Sequence, residues 1–207
     1  LGYGAAVIVP EGGVFAGSAA AVSLAAHDSD RSAERVEVYK DGVFQVLDFE
    51  TRGWSSRSYP TSTPGAVALM RQTLIDADWQ AESGPTLDGS NPRNAISPLE
   101  DGSVPLVFDC AHELEHFLAA DIAGEFSRPA VIMGNGMEFK WLDGIAGLGL
   151  DLIVPLRFPS KPDVTSVGSA DSVELETMMA WEQAPTNPRR LVEAATDSTL
   201  ALTASAL

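Results

Sequence analysis

The 207-residue chain holds one cysteine (Cys110), three histidines and 13 basic residues against 29 acidic ones. A single cysteine excludes an internal disulfide and any zinc site built on several thiolates. No stretch nears the roughly 18–20 uninterrupted apolar residues that span a bilayer; the alanine-rich AGSAAAVSLAA is too short and too small-sided. No basic region precedes an apolar core at the start, so no secretory leader is expected. A first residue of Leu1 rather than Met suggests a processed, trimmed or partial product. The formal charge of −16 repels phosphate backbones and anionic lipid, which argues against nucleic-acid and membrane partners. VPEGGVFAG lacks the G-x-G-x-x-G or G-K-[ST] spacing of a nucleotide loop, and no G-x-S-x-G elbow occurs among the many serines.

What is present fits a soluble globular protein, cytoplasmic or periplasmic, with 45% hydrophobic and 20% charged residues. No repeat, low-complexity tract or linker divides residues 1–207, so one domain is expected. YGAAVIVPEGGVFAGSAAAVSL reads as a short buried strand, a loop and a second apolar run. RVEVYKDGVFQVLDF alternates on both sides of Asp41-Gly42, which predicts a β-hairpin. Residues 52–64 have loop chemistry. A helix follows with Val67, Met70, Leu74, Ala77 and Ala81 on one face, Thr63 as N-cap and Pro64 at the first helical position. Beyond a polar stretch at 83–103, with a short helical piece near Asn94–Leu99, the chain alternates. VPLVFDC, PAVIMG, LDLIVPLRF and TLALTAS read as strands, and the segments between them as helices. That order predicts β/α units on a parallel sheet.

The segment CAHELEHF contains H-E-x-x-H at His112, Glu113 and His116. On a helix, residues four apart lie one turn above each other, so the two imidazoles could share one zinc, with Glu113 as the general base on its bound water. A third protein ligand is needed. His27 is the only other histidine, and Glu125, Glu138 and Asp143 are carboxylates downstream. Winding the helix at its ordinary pitch gathers Ala111, Leu114, Phe117, Leu118 and Ile122 on one apolar face. His112 and His116 fall opposite, with Ala119 and Ala123, which predicts a solvent-facing pair and no metal there.

Several stretches resemble the amidohydrolase superfamily, in particular its imidazolonepropionase-like branch. GYGAAVIVPEGGVFAGSAAAVSLA is similar to that branch's strand and loop, and PTSTPGAVALMRQTLIDADWQ to the helix after its active-site loop. ISPLEDGSVPLVFDCAHELEHFLAADIAGEF is similar to its L-x-G-x-x-P-V unit. WEQAPTNPRRLVEA followed by LALTASAL resembles W-E-x-A-P-x-N-P-x-x-L followed by F-A-L-T-T-D-G-L, the most specific part. Together these segments cover most of the chain.

The resemblance implies a (β/α)8 TIM barrel with its site at the C-terminal strand ends. It also implies one or two divalent metals held by an H-x-H, two later histidines and a final aspartate, which activate water against an amide or cyclic amide. Here no H-x-H occurs, and its strand would lie upstream of Leu1, so the barrel is incomplete. The two later histidines fall on Asp109 and on Gly134 or Asn135, and the aspartate on Ser205. A carboxylate at Asp109 can bind a metal; a serine hydroxyl does not replace the aspartate.

The reading that follows is an amidohydrolase-like barrel with most metal ligands missing: an inactive fragment or pseudoenzyme that needs no cofactor. Two alternatives stand beside it. One is a metal-dependent hydrolase of non-peptide C–N bonds, completed by an absent N-terminal segment. The other is a zincin-like hydrolase using HELEH. An incomplete barrel exposes a parallel edge, which predicts a homo-oligomer or cover by a missing N-terminal portion. Arg52, Trp54, Arg57 and Tyr59, on a loop over the barrel mouth, and Arg157, after an apolar strand, are candidates for binding a small-molecule ligand. Cys110 reads as a small core residue, and Trp181, Glu182, Pro185 and Asn187 as a helix end and turn used for packing.

Overall fold

The computed structural model describes residues 4–24, 37–49, 51, 59–83, 96–156, 158–195 and 198–203. They divide into two compact units, one formed by residues 1–108 and 122–129 and the other by 109–121 and 130–207.

The first unit begins with five strands: β1 (Ala5–Ile8), β2 (Phe15–Ser18), β3 (Ala20–Ser23), β4 (Val38–Lys40) and β5 (Gln45–Asp48). Helices α1 (Thr63–Ser83) and α2 (Ser97–Glu100) follow, then β6 (Leu106–Asp109). The hairpin expected at Asp41-Gly42 is not what forms. Gly42 turns the chain at φ +62°, with its N–H bonded to Asp41 Oδ1 at 2.9 Å, but β4 and β5 enter different sheets. β4 pairs antiparallel with β3, Val22 facing Val38, and β5 pairs antiparallel with β2, Ser18 facing Gln45. Between the two ladders the Ala19 N–H donates to Phe44 O, and the Val43 N–H to Ala19 O, each at 2.9 Å. The pairing therefore runs on from one sheet into the other. Alternating polarity identifies a strand but not its partner, and here the earlier apolar run supplies both partners.

β1 is likewise not a buried strand. It pairs with β3 alone in the order β1-β3-β4, and Val7 and Ile8 are exposed. The helical reading of α1 holds for Met70, Leu74 and Ala77, which are fully buried together with Ala66. Val67 is half-buried and Ala81 exposed. The Ala66 N–H bonds to Ser62 O at 3.0 Å, which puts Ser62 at the N-cap and Pro64 second in the helix. Leu47, Leu106 and Phe108 complete this core, and the Phe108 ring stacks on Phe49 with centroids 6.0 Å apart. Burying such a side chain stabilises the fold by about 1.5–3 kcal/mol.

The second unit carries the expected alternation. Helix α3 (Glu115–Glu125), which the sequence placed from His112 and whose last residues are counted with the first unit, leads to β7 (Ala130–Met133). A 3-10 turn at Glu138–Trp141 runs into α4 (Leu142–Ala146), followed by β8 (Asp151–Pro155). Then come α5 (Val167–Ser172), α6 (Leu175–Gln183), a 3-10 turn at Ala184–Thr186, α7 (Asn187–Ala194) and β9 (Leu200–Thr203). β7, β8 and β9 are parallel neighbours, with Ile132 opposite Leu152 and Leu152 opposite Leu200. β9 pairs with β8 alone, so among the described residues the sheet is open and no closed (β/α)8 barrel forms. The chain is α/β with antiparallel and parallel pairing, coarser than the barrel the resemblance implies.

Candidate functional site

The strand ends of the second unit carry the described positions to which the resemblance points, Asp109, Gly134 and Asn135. Cys110 N–H bonds to Met133 O at 2.9 Å and Gly134 N–H to Ile153 O at 2.9 Å, which sets Asp109 and Cys110 beside Gly134. Asp109 closes β6 half-buried, and Cys110 is in the core as expected. Asn135 is hydrogen-bonded at both ends of its amide. Its Nδ2 donates to Ala111 O and its Oδ1 accepts from the Met137 N–H, each at 2.8 Å. Ser205 lies outside the described residues.

Gly134 is the informative position. A Cβ there would stand 2.0 Å from Glu138 Oε1 and 3.4 Å from His116 Nε2. The carboxylate of Glu138 therefore fills the space that a side chain at 134 would need. Glu138 is fully buried, and so are His116 and Asn187. Oε1 accepts from the Gly136 N–H at 3.0 Å, and Oε2 from Asn187 Nδ2. His116 Nε2 stands 3.7 Å from Oε1, outside hydrogen-bond reach. Both ring nitrogens of His116, and Asn187 Oδ1, lack a hydrogen-bond partner among the described residues.

Burial is the largest single influence on the Glu138 carboxyl and pushes its pKa up. The facing His116, its own backbone N–H, the Gly136 N–H and Asn187 together outweigh it, so the group titrates below its ordinary value. With His116 at 3.7 Å, the firm holders are the backbone donors and Asn187. The cluster thus stabilises a buried carboxylate. None of its three side chains has exposed surface.

The HELEH segment does not present two histidines on one helical face. α3 starts at Glu115, and His112 precedes it in a turn, exposed, its N–H bonded to Glu115 Oε2 at 3.1 Å. The Glu115 carboxylate thereby reaches back to the turn that precedes the helix. His116 was expected to face solvent and is instead buried, along with Ala119, Ile122 and Ala123, while Leu114 is exposed. The inward face is the one with the small alanines, which allow close approach. Glu113 is ion-paired with Lys140 at 3.2 Å, and Lys140 also with Glu176 at 2.7 Å. The Glu176 hydrogen bond, ahead of opposing burial and the Glu113 pair, raises the Lys140 pKa. Glu125 is paired with Arg71 at 2.6 Å and Asp143 is exposed. Among the described residues no three His, Cys, Asp or Glu side chains are grouped to hold a metal ion.

These residues do not fit a metal centre of the implied kind. Asp109 is the one acidic side chain at the described ligand positions, Gly134 has no side chain, and the Asn135 amide is engaged at both ends.

The chain matches no protein-family model and none of the curated proteins. Among solved structures it is similar to an amidohydrolase from Thermotoga maritima MSB8, with a TM-score of 0.67 and 16% identity over 97% of this chain. The two share a fold. The chain spans about half of that protein's length, 51% of it.

Of the ligand-binding candidates, Arg52, Trp54, Arg57 and Arg157 lie outside the described residues, as does His27. Tyr59 is exposed and its hydroxyl donates to Gly65 O at 2.9 Å. No helix of the described residues is long and apolar enough to cross a membrane. The buried trio of His116, Glu138 and Asn187 was not legible as a group. The sequence offered Glu138 only as a spare carboxylate and Asn187 only as a turn residue. The available signal was an acidic residue inside the otherwise apolar, glycine-rich VIMGNGMEF.

Proposed function

We propose that residues 1–207 are part of an amidohydrolase-type scaffold, imidazolonepropionase-like in its motifs, that no longer assembles a hydrolytic metal centre and does not hydrolyse C–N bonds. The observation that carries this reading is the position of the Glu138 carboxylate, where a side chain at 134 would stand. A histidine at 134 is incompatible with that arrangement, and Asp109 alone cannot hold an ion in the manner of the family. The scaffold then acts through its surface rather than through hydrolysis.

The test is a zinc and manganese titration by calorimetry on the metal-stripped chain, together with His112→Ala and Asp109→Asn variants. The expected result is no stoichiometric tight binding in any of them. Tight one-to-one binding lost only in Asp109→Asn would overturn the proposal in favour of the second reading, a metal-dependent C–N hydrolase completed by a further segment. That reading draws on the half of the Thermotoga protein to which nothing here corresponds. Binding lost only in His112→Ala would restore the zincin-like reading, which the burial of His116 and the exposure of His112 disfavour.

A further inference from the structure

Helix α6 is turned inside out. On a helix, positions i, i+3, i+4 and i+7 share a face, and in α6 these are Leu175, Met178, Met179 and Glu182. Leu175 is 75% exposed, Met179 45% and Met178 38%. The one buried residue of the helix is Ala180, from the other side. Val167, in α5 just before, is 81% exposed, and Trp181 is also exposed. The small side chain points inward and the large apolar ones point to solvent, the reverse of what packing an isolated chain favours.

The border of this stripe is acidic. Residues 160–183 contain Asp163, Asp171, Glu174, Glu176 and Glu182 against Lys161 alone, while from other elements Lys140 meets Glu176 and Arg190 meets Gln183. Asp163 is occupied in a turn with Thr165, and Glu176 with Lys140. Asp171, Glu174 and Glu182 have no ion-pair partner among the described residues, and Glu182 lies on the stripe itself. A second copy would bring the same acids and the same charge of −16, and anionic lipid would be repelled for the same reason. Unbranched, polarizable methionines suit a surface that adapts to an inserted apolar face.

We propose that the exposed stripe of α6, Leu175, Met178 and Met179 with Glu182, is a docking site for a basic amphipathic helix of another polypeptide. The inference rests on this helix and its charges, not on the state of the metal centre. Two 18-residue helical peptides with one apolar face, differing only in lysine or glutamate on the polar face, are titrated into the whole chain by calorimetry. The expected result is binding of the lysine peptide alone, weakened about tenfold or more by 0.5 M salt. Met178→Gln with Met179→Gln, and separately Glu182→Lys, should each weaken it about tenfold, with the circular dichroism spectrum unchanged. Leu175→Gln, at the most exposed apolar position of the stripe, should weaken it likewise. Equal binding of both peptides, no binding of either, or a dimer in sedimentation that Met179→Gln dissociates would each overturn the proposal.

Discussion

The side chain of Glu138 occupies the space above Gly134, 2.0 Å from where a Cβ at that position would stand. The two residues are therefore compatible only while 134 stays glycine or the carboxylate stays elsewhere. The colliding atom is the end of a side chain, but that end is buried and held by the Gly136 N–H and Asn187. Gly134→Ala should lower stability by about 1–3 kcal/mol, the cost of leaving buried charged and polar partners unmatched. Urea unfolding measures it. The loss should shrink when Glu138→Ala clears the space, and a loss unchanged in the double variant would deny the collision.

Acid should expose the same carboxylate. Glu138 is held below its ordinary 4.5. Its contribution to stability is therefore complete above the unfolded value and disappears as pH falls through the lower folded value. Below about pH 4.5 the wild-type chain should lose stability more steeply than Glu138→Gln, and above that range the two curves should run parallel. Denaturation at a series of pH values reads both slopes. Identical slopes would mean that the carboxyl is not stabilised in its charged form.

Glu138 and Asn187 are 49 residues apart in sequence and hydrogen-bonded in the core of the second unit. Glu138→Ala should cost about 2–3 kcal/mol through lost packing and an unmatched amide. Asn187→Ala should cost less, because the Gly136 N–H remains. A double-mutant cycle should return a coupling of about 1 kcal/mol or more. Additive losses would show that the bond contributes nothing specific.

Lys140 links Glu113, in the turn before α3, with Glu176 in α6. Its raised pKa means that the pair's contribution is present below the ordinary 10.5 and is lost as pH climbs through the folded value. Lys140→Met should lower the thermal midpoint at low ionic strength only modestly, since Glu176 is largely exposed. At 1 M salt the difference should vanish. A deficit that persists in high salt would point to packing of the lysine stem instead.

Much of the architecture could be read from residue order. The β/α alternation after Val104, the buried spacing of Met70, Leu74 and Ala77 and the core position of Cys110 all follow from local pattern. What local pattern could not give was pairing and closure. Alternation marked β4 and β5 as strands but assigned them to each other, because the rival partners lay some 20 residues upstream in the alanine-rich run. The HELEH wheel failed for a related reason. Hydrophobicity favours Leu114 over Ala119, yet helix packing rewards close approach, which small side chains allow. His116 then followed the alanines inward. Its meeting with Glu138 and Asn187 joins three segments that no motif connects.

At Ala19 a backbone carries its hydrogen-bond ladder from one sheet into the next, matched across by Val43 and Phe44. The stretch from Phe15 to Ser23 and the stretch from Val38 to Asp48 behave as the two halves of a single zip that is fastened through a corner. Adding or removing one residue between Asp41 and Phe44 would displace the teeth on both sides of that corner, reversing which side chains face inward in β4 or in β5. The spacing between Asp41 and Phe44, turned at Gly42, thus sets the inward faces of two sheets at once.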